Sequence, residues 1–214
     1  MKLLSVPLAR SLWFFDTAEL NPRGKNIFVD LIPSLIETYD FKQFPKEGED
    51  FKDGMKFASG TFTNSASDDV QVAMTIYGDG IAADTYSSTK DSDEFLEQAS
   101  KVLLDLRYAY DPSMVRRKSY LSQVVVRCAH QLASLNPRLE EFAKRISEVG
   151  GGETAFGCGA LEFWPDQTRS NKPANFSIQK RAGDAFSDDR YWSQAGLSTD
   201  KHVSLLGELE AILS

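Results

Sequence analysis

Histidine and cysteine are scarce in this chain, two of each among 214 residues. Metal centres and much acid–base catalysis draw on these side chains, so their scarcity narrows the chemistry at once. Cys128 and Cys158 fit a reducing compartment, where lone thiols behave as small buried hydrophobes, and the sequence alone does not establish a bridge between them. Positive charge is also short: 24 Lys and Arg stand against 31 Asp and Glu, a net charge of −7. That balance repels phosphate backbones and argues against a nucleic-acid partner. The one basic cluster, Arg116-Arg117-Lys118, stands alone and reads as a solvated face. No hydrophobic run approaches the ~18 residues of a membrane helix. The N-terminal MKLLSVPLARSLWFFD is broken by Pro7 and Arg10 and lacks a small-x-small cleavage site, so it is not read as a signal peptide. A cytoplasmic protein without a membrane partner is expected.

A phosphate loop is missing as well. The nearest approach is TIYGDGIAADT, residues 75–85. A phosphate cradle needs a helix directly after the glycines, so that its first amides face the anion. Here a strand-like run follows instead. A calcium loop needs further acidic residues at alternating positions, and Ile81, Ala82 and Ala83 supply none. Gly78-Asp79-Gly80 therefore reads as a hairpin turn.

What the chain does contain is a mixture of alternating and helical patterns. Strands are expected over 8–16, 55–63, 70–77, 81–88 and 119–133, with two more in ETAFGCGALEFWPD and PANFSIQKR. Helices are expected after Asn21-Pro22, with Ile27, Leu31, Ile32 and Leu35 as the apolar stripe and a kink or broken turn at Pro33. A second helix follows STKD, burying Phe95, Ala99, Val102, Leu103 and Leu106 and ending by Asp111-Pro112. A third runs through LNPRLEEFAKRISEV to three glycines, and a last one starts near Asp200.

LNPR occurs at 20–23 and again at 135–138, each time between a strand-like and a helix-like segment. STKD at 88–91 and STDK at 198–201 then announce a helix in each half. At this offset Ile27, Phe28 and Leu31 fall on Phe142, Ala143 and Ile146. The repeated order suggests one domain over 1–214 containing an internal duplication, 1–110 and 111–214. The fold class is α+β, with mostly antiparallel sheet, helices on one side, and two similar β-α-β-β-(β)-α halves sharing one core. Halves sharing a core are expected not to fold separately.

Chemical constellations are thin. Cys128-x-His130 would share one face of a strand, the sharpest thiol–imidazole candidate, but no third group orients it and packing is the better reading. Gly157-Cys158-Gly159 sits in a strand-like run and not on the strand-to-helix turn of a nucleophile elbow. The acidic groups Asp68-Asp69, Asp91/Asp93/Glu94 and Asp188-Asp189 read as caps and solubilising charge. Arg190, Tyr191 and Trp192 differ: aromatics beside an arginine in a polar segment have the composition of an interface anchor, although core packing beneath a loop is the better reading, since Trp is highly buried on average. No catalytic residue, metal or cofactor is assigned. The expectation is a non-enzymatic protein that works by contact with another protein, a basic one for preference, as an inhibitor, immunity protein or accessory subunit. The rival is an enzyme or small-molecule binder with a site between the halves. Convergent ionisable groups in a pocket would favour the rival, and a shallow aromatic surface the first.

Overall fold

In a computed structural model the chain is described over residues 1–21, 28–46, 53–130, 132, 137–152, 155–166, 168, 172–181, 183–185 and 188–213. Six elements come first: β1 (Lys2–Phe14), α1 (Phe28–Tyr39), β2 (Met55–Thr63), β3 (Asp69–Tyr77), β4 (Gly80–Thr85) and α2 (Thr89–Asp105). Six more follow: β5 (Arg117–Arg127), α3 (Pro137–Val149), β6 (Ala160–Phe163), β7 (Phe176–Lys180), β8 (Arg190–Ala195) and α4 (Thr199–Leu213). The order strand, helix, three strands, helix thus occurs twice. The strands lie in an eight-stranded sheet, β2-β3-β4-β1-β5-β8-β7-β6. The pairs β1–β4, β2–β3, β3–β4, β6–β7 and β7–β8 are all antiparallel. The fold is α+β.

The chain divides into two compact units, one of residues 8–122 and one of residues 1–7 with 123–214. The buried apolar side chains follow the same division and form two clusters where one shared core was expected.

In the first unit, β3 alternates cleanly, sending Val70, Val72, Met74 and Ile76 inward. In β2 the alternation breaks, since Phe57 and Phe62 are both buried although they stand an odd number of positions apart. A register shift between Phe57 and Gly60 accounts for this, because one extra residue returns the later side chains to the core face. α1 is continuous across Pro33 and buries Leu31, Leu35 and Tyr39. The ring of Tyr39 meets Phe95 of α2 at 4.8 Å between centroids. α2 is capped by Ser88, whose side chain accepts the N–H of Asp91, so β4 stops at Thr85, short of the expected 88. The helix ends at Asp105, before Asp111-Pro112.

Gly78-Asp79 forms a two-residue hairpin turn, with Tyr77 opposite Gly80. The turn also serves as an acceptor platform: Gly78 O accepts N–H and Oγ1–H of Thr17, and Asp79 O accepts the N–H of Phe15. A Cβ on Gly80 would lie 2.2 Å from the carbonyl oxygen of Trp13. Gly80→Ala is therefore expected to cost about 2–3 kcal/mol. Asp79→Asn is expected to stay within about 0.5 kcal/mol of the parent, because Asn suits the same turn. Urea melts of the two variants check both, and a large loss with Asp79→Asn would give the carboxylate a role beyond turning the chain.

The second unit departs further from expectation. β5 ends at Arg127, not 133. β6 begins at Ala160, so Gly157-Cys158-Gly159 precedes the strand that was expected to contain it. A strand, β8, occupies the segment read as a polar loop. Pro137 opens α3 at the first helical position, as its missing N–H favours. In the first LNPR, Leu20 closes a 3-10 turn and Asn21 N–H donates to Ala18 O. Pro22, Ile27 and Asn136 lie outside the described residues, and with them the comparison of the two LNPR segments.

Candidate interaction site

Arg190, Tyr191 and Trp192 share β8, whose alternation sends Tyr191, Ser193 and Ala195 inward. Arg190 is exposed and Trp192 half-buried, but Tyr191 is sealed. Its ring packs in the second cluster with Val124, Val126, Ile178 and Leu206. Its hydroxyl accepts the N–H of Leu132 at 3.4 Å, and Lys180 Nζ lies 4.5 Å from the ring centroid. The expectation of an exposed anchor at Tyr191 is corrected: three successive strand residues cannot all face one partner, and this one belongs to the core.

The thiol–imidazole candidate also dissolves. The strand ends before Cys128, which removes the shared face. Cys128 is buried, and its N–H donates to Asp189 O.

The second histidine makes a tighter pair. His202 Nε2 lies 2.9 Å from Ser193 Oγ, and both side chains are sealed. The pair has the outward form of a nucleophile and its base. However, Ser193 Oγ–H donates to Ser177 O at 2.7 Å. A serine has one proton to give, so the imidazole must be the donor, Nε2–H to Oγ, the reverse of base activation. Phe176 packs edge-on to the ring at 5.7 Å. Burial pushes the imidazole pKa down to about 4. The pair is a buried, neutral strut between β8 and α4.

In the first unit, Asp93 of α2 gathers several donors that the sequence did not show converging. It accepts Ser11 Oγ–H, Trp13 Nε1–H at 2.7 Å and Tyr120 Oη–H at 2.9 Å. Lys118 Nζ stands 3.9 Å away and 4.0 Å above the Trp13 ring. Burial, then the hydrogen bond and charge of Asp93, raise Tyr120 to about 12. Asp91 was read as a cap, but Ser88 holds that position; the Asp91 carboxylate instead accepts from the side chains of Ser88 and Asn64. The basic cluster beside this network is spent locally: Arg116 pairs with Glu19 at 2.9 Å, and Arg117 lies 4.1 Å over Phe14. Among the described residues no group of three His, Cys, Asp or Glu side chains is placed to hold a metal ion. No helix among them is long and apolar enough to cross a membrane.

The second unit has two concave features among the described residues: one of about 410 Å³ is lined by Glu140, Lys144, Cys158 and Lys180 among others, and the other is apolar. A pocket of about 480 Å³ opens between α4, the end of β6 and the start of β7. Phe163, Trp164, Phe176, Leu205, Leu209 and Ile212 supply its walls, and Glu208 is its one ionisable lining group among the described residues. Four of these side chains are left open to solvent, Trp164 at 65% and Ile212 at 73%, with Phe163 and Leu205 beside them. Local sequence makes this possible: β6 is only four residues long, and Trp164-Pro165 ends it. α4 places Leu205, Leu209 and Ile212 at helical spacing along its outer side while Leu206 and Leu213 turn into the core. Sequence reading missed this patch because WPD and SLLGELEAIL each look like ordinary strand-end and core-helix segments. A surplus of apolar residues on α4, wider than one buried stripe, was the available signal.

No protein-family model and no curated protein sequence matches this chain. A comparison with solved structures finds a likeness to Methanococcus jannaschii TBP, with TM-score 0.43 and 12% identity over 99% of this chain and 96% of that one. At that score and identity nothing about the activity of this chain follows from it.

Proposed function

We propose that the chain is a binding protein that engages a protein partner through the apolar pocket of its second unit. The observation that carries the reading is the exposure of Phe163, Trp164, Leu205 and Ile212 around one concavity. Leaving four large apolar side chains in water costs stability, and contiguous patches of this kind mark interaction sites on soluble domains. Aromatic and aliphatic side chains around a pocket are the composition of an interface hot spot. The rival reading, an enzyme or small-molecule site, wants converging ionisable groups; among the described residues the apolar pocket offers Glu208 alone of that class, and the concavity holding Glu140, Lys144, Cys158 and Lys180 is where that reading would lie. A cytoplasmic, acidic protein working on a basic partner remains the setting that fits the net charge of −7.

Placing a photo-crosslinking amino acid at position 164 in cells tests this. A discrete protein adduct is expected, abolished by Leu205→Glu and absent when the same probe replaces the exposed Lys201 on the first turn of α4. An adduct pattern that is the same at both positions would sink the proposal.

A further inference from the structure

We infer that the partner enters as an extended segment, adding a strand to the outer edge of β6 with one apolar side chain in the pocket and a basic residue over its acidic rim. This rests on the pocket reading above and specifies how the pocket is used.

The edge geometry points to a strand. β6 stands at one end of the strand order, with β7 on its inner side. Lys180 N–H donates to Gly159 O at 2.7 Å, which fixes the phase of the ladder. In an antiparallel pair the bonded positions alternate, so Leu161 and Phe163, opposite Ile178 and Phe176, also spend their backbone groups on β7. The N–H and C=O of Ala160 and Glu162 then face outward. Natural sheets protect such edges with lysines, prolines or a covering segment. β6 carries no lysine or proline, and Ala160, Glu162 and Phe163 are exposed.

Edge and pocket are continuous, because Phe163 ends the strand and lines the cavity. A strand laid on β6 therefore sends every second side chain toward α4, and one of them reaches the apolar walls. Main-chain bonds supply affinity in this mode, and the pocket supplies selectivity.

Charge selects the occupant. Among the described residues Glu208 lines the pocket, Glu162 sits on the edge itself and Asp166 follows the pocket-lining Pro165, three exposed carboxylates against the exposed Lys172 that precedes Pro173. A second copy of this chain would bring the same carboxylates against these, and with them a net charge of −7. A segment alternating apolar side chains and carrying Lys or Arg complements the rim instead.

A random linear-peptide display library selected against the full chain, followed by anisotropy measurements on the synthesised winners, tests the inference. The expected winners alternate apolar residues and carry Lys or Arg. Trp164→Ala is expected to weaken them about 30-fold, the size of a hot-spot truncation. Glu208→Lys weakens them as well. Methylating alternate backbone nitrogens of the peptide abolishes binding in one register and spares it in the other. Ala160→Pro, which removes an outward N–H and leaves the bonds to β7 intact, has the same effect as the damaging register. Winners that depend on Trp164 but ignore both backbone tests would overturn strand addition and leave the pocket reading standing. Winners indifferent to Trp164→Ala would bring down the pocket reading itself. Acidic winners, or no enrichment at all, would overturn the inference, while the crosslink at position 164 still decides the pocket.

Discussion

Asp93→Ala is expected to lower the unfolding free energy by about 4 kcal/mol. Ser11 is sealed and Trp13 is 4% exposed, so neither donor can turn to water once its acceptor is gone. Each buried donor left without a partner costs about 1–3 kcal/mol, and bonds to a charged acceptor lie toward the upper end. Tyr120, which is less buried, relaxes at smaller cost. Asp93→Asn keeps an acceptor oxygen and should recover roughly half the loss, since the carbonyl of an amide binds donors less strongly than a carboxylate. Urea unfolding of both variants at neutral pH measures the series. A cost below about 1 kcal/mol for the alanine variant would show that the three donors find other partners.

The second large effect is on acid stability. Between pH 6.5 and 4 the folded chain should lose about 3 kcal/mol through His202 alone. The sign follows from the direction of the shift. Burial holds the folded imidazole neutral down to about pH 4, whereas the unfolded side chain takes up its proton near 6.5. Between these values the unfolded state binds more protons, so stability falls as pH falls. Below about 4 this contribution is fully lost and changes no further; above 6.5 it is complete. Ser193 and Phe176, which meet the ring, carry no charge. His202→Gln cannot titrate, and its amide can still donate to Ser193. The difference between parent and variant should therefore close as pH drops from 7 to 4. Parallel stability curves across that range would refute a sealed neutral imidazole.

Much of the fold was legible because local rules agreed with tertiary demand. β2 was read at its observed bounds, β3 to within one residue, and a turn at Gly78-Asp79 where it stands, although neither turn residue takes the positive φ that a glycine there would permit. α2 announced itself through Ser88 and an apolar stripe. The failures are equally physical. β8 was hidden because RYWSQA does not alternate by polarity: Trp192 stands on its less buried face and Ser193 on its buried one, so the segment looked like a polar stretch with stray aromatics. The same misreading put Tyr191 at the surface. Asp93 could be counted in the sequence, but its three donors come from β1 and β5, and no spacing within STKDSDE shows that they meet there. The pocket was invisible for a related reason: it is made by what α4 and β6 leave uncovered, a property of packing and not of any one segment.

The proton on His202 Nε2 has a further consequence. It bridges to Ser193 in a sealed site, so an exchange with solvent deuterium requires the second unit to open around it. In nuclear magnetic resonance spectra that ring proton should persist as a separate downfield line. Its rate of disappearance in heavy water then times how often α4 lifts from β8, a clock already wired into the protein.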